Sequence, residues 1–208
     1  MKRRTVIHSL LVSAAALTLS AVTGALTGAA APLAIDSARI TVSGTSNIHA
    51  YTASTTTVRI RRAELAAVPD GAELWMHALT PGGVEGFEVA VPAATLTSPR
   101  EGLDVNMHKA LRTGEYPDIL FRLLRFEPRT GPAGSLRGVG VLKIAGVARE
   151  VAFDITTERK GASLGVKGQV VLLMTDFGIT PPVAMLGMLK TDPKVTVTFE
   201  TMLTVPLT

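Results

Sequence analysis

A chain of 208 residues that is 47% hydrophobic is long enough to bury one sizeable core. Setting aside Lys2, Arg3 and Arg4 takes the basic residues from 21 to 18 against 17 acids, so the formal charge falls from +4 to +1; with only 4% aromatic residues, the composition excludes a basic, base-stacking surface for nucleic acid. There is no cysteine, which excludes both a disulfide framework and an acylated N-terminal cysteine.

The three cations open the chain. An acid-free, largely apolar run from Ile7 to Leu26 follows, then the small residues Gly28, Ala29, Ala30 and Ala31. This is the layout of a cleaved secretory signal, expected over residues 1–30, because Pro32 disfavours cleavage after Ala31. The competing reading is an uncleaved anchor of about 20 residues. Its many alanines, serines and threonines make the run only mildly hydrophobic, which favours cleavage and a mature domain over residues 31–208 without stable membrane insertion.

Beyond the leader, apolar residues recur at every second position, as half-buried strands require. The series begins with Ile40 and Val42 and continues with Phe87, Val89 and Val91. One stretch breaks it: "LDVNMHKALRTGEYPDILF", residues 103–121, places Leu103, Met107, Ala110 and Leu111 on one helical face. Asp104 near the start and Lys109 and Arg112 near the end complement the helix dipole. Gly114 is the expected stop, and Tyr116, held extended by Pro117, leads into a strand from Ile119 to Phe126. His108 lies about 100° round from the apolar stripe, so it is expected at the helix edge, satisfied by a backbone carbonyl or water.

In "SLRGVGVLKIAG" the face that carries Leu136, Leu142 and Ile144 also carries Gly138 and Gly140, and Gly168 repeats this between Val166 and Val170. Two readings stay open: bends at barrel corners, or a wall that leaves room for a ligand. The period-two series runs on through Val151, Phe153 and Ile155, then Val170, Leu172 and Met174, and finally Val195, Val197, Phe199, Thr201 and Leu203. Turn signals separate the runs at Asp70-Gly71, Pro81-Gly82-Gly83, residues 131–134, Gly146, Lys160-Gly161 and Asp192-Pro193. The segment "GITPPVAMLGML" reads either as an apolar flap at a barrel mouth or as a plug in its end. Seven to nine such strands predict an all-β, antiparallel barrel of about eight strands with one short helix, ahead of a sandwich.

Catalytic signatures are missing. His49, His77 and His108 are the histidines outside the leader, without metal-ligand spacing, and neither H-E-x-x-H nor G-x-S-x-G occurs. "TDFGI" and "GVGVLKI" match kinase fragments in isolation, but about 30 residues separate them and the intervening catalytic-loop motif is lacking. No catalytic residue, metal or cofactor is expected.

Taken in order, "LDVNMHKALRTGEYPDILF", "LRGVGVLKIAGVAREVAFDI" and "LLMTDFGITPPVAMLGMLKTDPKVTVTFE" resemble the YceI-like lipid/polyisoprenoid-binding family, and "VSGTSNIHAYT" is similar to its opening strand. Ala50-Tyr51 departs from the Asp-Trp found in many relatives, and Ala110 after Lys109 from a compact His-Leu-Arg arrangement. The resemblance implies an extended lipocalin-like barrel exported to the periplasm, with an apolar tunnel for an isoprenoid or fatty-acid-like chain. Leu142, Ile144, Phe153, Ile155, Val170, Leu172, Val197 and Phe199 are the expected wall, with Gly138, Gly140 and Gly168 leaving room. His108, Arg112 and Arg122 are candidate headgroup contacts. The alternative is a structural or stress-related barrel filled by its own side chains, and an exposed edge or apolar mouth leaves room for a homodimer.

Overall fold

The computed structural model describes residues 33–68, 73–184 and 188–206. The expected signal segment and the tip of the 178–189 segment therefore lie outside the described residues. Strands β1 (Ala34–Ser46), β2 (Ala50–Thr55) and β3 (Arg59–Leu65) precede the short helix α1 (Leu74–Ala78) and β4 (Val84–Pro92). The main helix α2 (Glu101–Leu111) leads to β5 (Asp118–Pro128), β6 (Ser135–Ile144), β7 (Val147–Lys160), β8 (Ser163–Leu173), the two-residue β9 (Val183–Ala184) and the long β10 (Leu189–Thr204).

Nine of these strands form one antiparallel sheet in the order β2-β1-β10-β8-β7-β6-β5-β4-β3, and β9 pairs with β10. Nine strands fall within the expected seven to nine, with the short β2 and β3 at the two edges. These two strands end the sheet on opposite sides, yet only residues 56–58 connect them. A connection that short reaches little more than about 14 Å, so the sheet must curl until its two edges come together. No hydrogen-bonded ladder joins β2 to β3 among the described residues, so the lipocalin-like barrel is closed by the chain itself and not by strand pairing.

The curl has one apolar inner face, and its register follows the sequence. Val195, Val197, Phe199, Thr201 and Leu203 of β10 all point inward, as do Val151, Phe153 and Ile155 of β7. On β5 the inward set is Ile119, Phe121 and Leu123, then Phe126, because a bulge between Leu123 and Arg125 shifts the alternation by one residue. Two cores cap the ends. One gathers Leu33, Ala63, Trp75 and Leu164, and the other Ala145, Leu172, Phe177, Ile179 and Val195. The Phe of the "TDFGI" fragment thus has a packing role: Phe177 is 2% exposed at the centre of the second core, and Gly178 takes the left-handed turn (φ 66°) that follows it.

Helix α2 carries its expected stripe, but it stops earlier than Gly114. Arg112 adopts the left-handed conformation (φ 53°), and its N–H and that of Thr113 bond the carbonyls of Lys109 and His108. An arginine tolerates this C-terminal position because its side chain is held: the guanidinium stacks 4.6 Å from the centre of the Tyr116 ring and donates to the Ala145 carbonyl. Ala145 and Gly146, with φ of 47° and 85°, form the two-residue turn joining β6 to β7. No helix among the described residues is long and apolar enough to cross a membrane.

Candidate functional site

The curled sheet encloses a cavity of about 610 Å³ whose lining is predominantly apolar. Its long axis follows the strands, and the register assigns its two ends. At one end Ile35 pairs with Leu203, and Trp75 of α1 is buried there, its indole Nε1 donating to the Ala162 carbonyl at 2.9 Å. At the other end Ser46 pairs with Thr191, and α2 lies across the opening. Contacts fix α2 on both sides: Arg100 at its N-terminus meets His49 of the β1–β2 turn, and Arg112 at its C-terminus meets Ala145 of the β6–β7 turn. Leu103, Met107, Ala110 and Leu111 face the cavity, so the helix forms the inner surface of this end.

Eight of the expected wall residues line the cavity: Leu142, Ile144, Phe153, Ile155, Val170, Leu172, Val197 and Phe199. The three glycines do share their face, but they leave no open space. A Cβ on Gly138 would lie 2.7 Å from the Phe153 ring, one on Gly168 would lie 2.5 Å from the Phe199 ring, and one on Gly140 would overlap the Phe121 ring. Gly138 is the cross-strand partner of Phe153, and Gly168 that of Phe199. Each ring folds over a bare patch of backbone, and the three rings form a chain across the barrel, with centroids 5.4 Å apart for Phe121 and Phe153 and 5.6 Å apart for Phe153 and Phe199. Both contacts are edge-to-face, the arrangement that aligns a positive ring edge with a negative face. The expected roominess is corrected accordingly: the glycines accommodate phenylalanines, which form a waist in the cavity.

The expected headgroup contacts are also redistributed. His108 is part-buried and bonds the Leu96 carbonyl through Nε2 at 2.8 Å, in the structural role expected of it. Arg112 is engaged by Ala145, Tyr116 and Glu115, outside the cavity lining. Arg122 is exposed on the outer sheet face, because the alternation that turns Phe121 and Leu123 inward turns it outward. Neither arginine is among the residues that line the cavity.

The polar lining comes from elsewhere. Ser46, His49, Tyr51, Arg100, Asn106 and Thr191 face the cavity at the α2 end, and Thr201 is the polar side chain facing it deeper in. Arg100 and His49 are exposed while lining the cavity, so this end opens to solvent. Arg100 Nη1 donates to His49 Nε2 at 2.7 Å. Since guanidinium has no acceptor, His49 must accept there and carry its proton on Nδ1. Tyr51 packs over Gly44, and burial first, then the Asp192 carboxylate, raise its phenol above the usual value. Among the described residues no cluster of three or more His, Asp or Glu side chains is grouped as metal ligands would be.

A curled antiparallel sheet wrapped round a long apolar cavity defines a lipocalin-like architecture. The chain belongs to the family of the YceI-like domain, whose model matches residues 7–203. Its fold is similar to that of BcnA from Burkholderia cenocepacia, at 13% identity and a TM-score of 0.62 over 79% of this chain and 95% of that one. It is likewise similar to a polyisoprenoid-binding domain from Saccharophagus degradans implicated in plant cell wall breakdown, at 10% identity and a TM-score of 0.63 over 85% and 100% of the two chains. A YceI protein of Campylobacter jejuni aligns at 15% identity and a TM-score of 0.50 over 70% and 82%. None of the curated proteins matches the chain.

Proposed function

We propose that the protein is an exported carrier that sequesters an isoprenoid or other long-chain lipid, its tail in the barrel and its polar end beside α2. The observation that carries this reading is the cavity itself, about 610 Å³ with polar side chains concentrated at the solvent-facing end. That volume lies in the range of sites that enclose a small molecule. Water is a poor filler, because most of the lining offers it no partner. A lipid tail contributes about 0.8 kcal/mol per buried methylene, so roughly ten methylenes supply about 8 kcal/mol before ordering costs, which corresponds to micromolar or weaker binding.

Membership of the YceI-like family and the likeness to a polyisoprenoid-binding domain support the same ligand class. Export rests on the layout of the leader, and no catalytic step is assigned. The test is native mass spectrometry of protein purified gently from its own host, followed by extraction and identification of any lipid. A ligand-free mass together with failure to take up a hydrophobic fluorophore would refute the carrier reading.

A further inference from the structure

The carrier reading leaves the chemistry of the ligand's polar end open, and the mouth of the cavity speaks to it. The geometry points to an anionic headgroup, a carboxylate or a phosphate, held by Arg100 with His49 behind it. This inference rests on the carrier reading and sharpens it.

Three observations converge on Arg100. First, the ion-paired arginines, Arg61, Arg62, Arg112, Arg125, Arg129 and Arg159, all lie outside the cavity lining and are bound to carboxylates, whereas Arg100 lines the cavity and has no carboxylate partner among the described residues. Second, among the described residues the guanidinium donates to one partner, a neutral imidazole nitrogen that fixes it without cancelling its charge. His49 is fixed in turn by its own turn: its N–H and carbonyl both bond the Ser46 hydroxyl, at 3.1 and 2.9 Å. The remaining guanidinium donors suit the paired oxygens of a carboxylate or phosphate.

Third, the surroundings leave space and add donors. Gly102, in the first turn of α2, also lines the cavity, and a Cβ built on it would meet nothing within 4 Å. Asn106 lines the same end, and its amide can donate there as well. Asp192 is the carboxylate felt by Tyr51, which favours seating the anion towards Arg100 and away from Tyr51. A headgroup there leaves its chain directed past Met107 and Leu103 towards the phenylalanine waist.

The test uses delipidated protein and two probe pairs that differ only at the polar end: farnesyl phosphate against farnesol, and oleate against oleyl alcohol. Affinities are measured by titration calorimetry. For the unsubstituted protein the anionic member of at least one pair is expected to bind about tenfold tighter or more, the worth of a charged hydrogen bond in a partly desolvated site. Which pair shows the larger preference separates phosphate from carboxylate. Arg100→Gln is expected to remove that preference with less than a threefold change for the alcohols, and Arg100→Lys to retain part of it. His49→Gln is expected to weaken it, and Arg122→Gln on the outer face to leave it intact. Equal binding of acid and alcohol, unaltered by Arg100→Gln, would overturn the anion clamp while the carrier reading stands. Failure of all four probes and of a hydrophobic fluorophore would overturn both.

Discussion

The phenylalanine waist makes a quantitative demand on the glycines beneath it. In Gly168→Ala the new Cβ would stand 2.5 Å from Phe199 Cζ, 2.8 Å from the Asp154 carbonyl oxygen and 3.0 Å from Ile155 Cγ2. The Phe199 ring can swing into the cavity, but the Asp154 carbonyl belongs to β7, whose residues pair with β8 on either side of the clash. Part of the overlap must therefore be relieved by moving backbone, at a cost of about 1–3 kcal/mol. For a domain of this size that lowers the Tm by roughly 2–12 °C.

Gly138→Ala provides the internal comparison, because the three atoms nearest its Cβ all belong to the Phe153 ring, the closest at 2.7 Å. That ring can withdraw into the cavity without disturbing a strand, so the loss of stability is expected to be smaller. The displaced ring narrows the cavity instead. Thermal unfolding followed by circular dichroism, paired with uptake of a hydrophobic fluorophore, reads both effects. Gly168→Ala should be the less stable variant, and Gly138→Ala should show reduced uptake out of proportion to its stability. A Gly168→Ala protein as stable as the unsubstituted one, or the reverse ranking, would refute the account of the waist.

Other expectations are more local. His108→Ala removes the bond to the Leu96 carbonyl, and since Leu96 is 3% exposed the orphaned acceptor should cost about 1–3 kcal/mol in chemical denaturation. Trp75→Phe keeps most of the packing around α1 but loses the bond to Ala162, for a destabilisation of about 0.5–1.5 kcal/mol, whereas Trp75→Ala should cost about 3–5 kcal/mol. Because burial and Asp192 raise the Tyr51 phenol in the folded state, the unfolded chain gives up that proton first as pH rises. Stability should then fall above pH of about 10, and Tyr51→Phe should remove that part of the decline in Tm measured against pH.

Much of the inner face is legible in the sequence because a strand's side chains alternate without exception until a bulge intervenes. The run from Val195 to Leu203 contains no such break after Val195, and each of its alternate residues reaches the cavity. The stripe of α2 is equally plain, four residues at helical spacing that all face inward. Helix α1 is not legible, since five residues make too short a segment for periodicity to register. The glycines show a different obstacle. Gly138 and Phe153 are adjacent only through the β6–β7 register, so the sequence displays a missing side chain without displaying what replaces it.

The headgroup candidates separate along the same line. Arg122 sits between Phe121 and Leu123, and the alternation that makes those two wall residues already sends it outward. Arg100 lies three residues before Leu103 and seven before Met107, so it falls on the apolar stripe continued one turn back from the helix start. His49 shares the parity of Tyr51, and both reach the cavity. Each signal is present, but neither means anything until the β1–β2 turn and the start of α2 are known to meet at one end of the barrel. That meeting is a property of the curl: the short 56–58 connection draws the sheet edges together, and the Ser54–Thr97 bridge pins the segment leading to α2 against β2. The cation at the mouth is therefore positioned by topology, whereas the apolar wall is positioned by local pattern, which is why the wall can be read from the sequence and the mouth cannot.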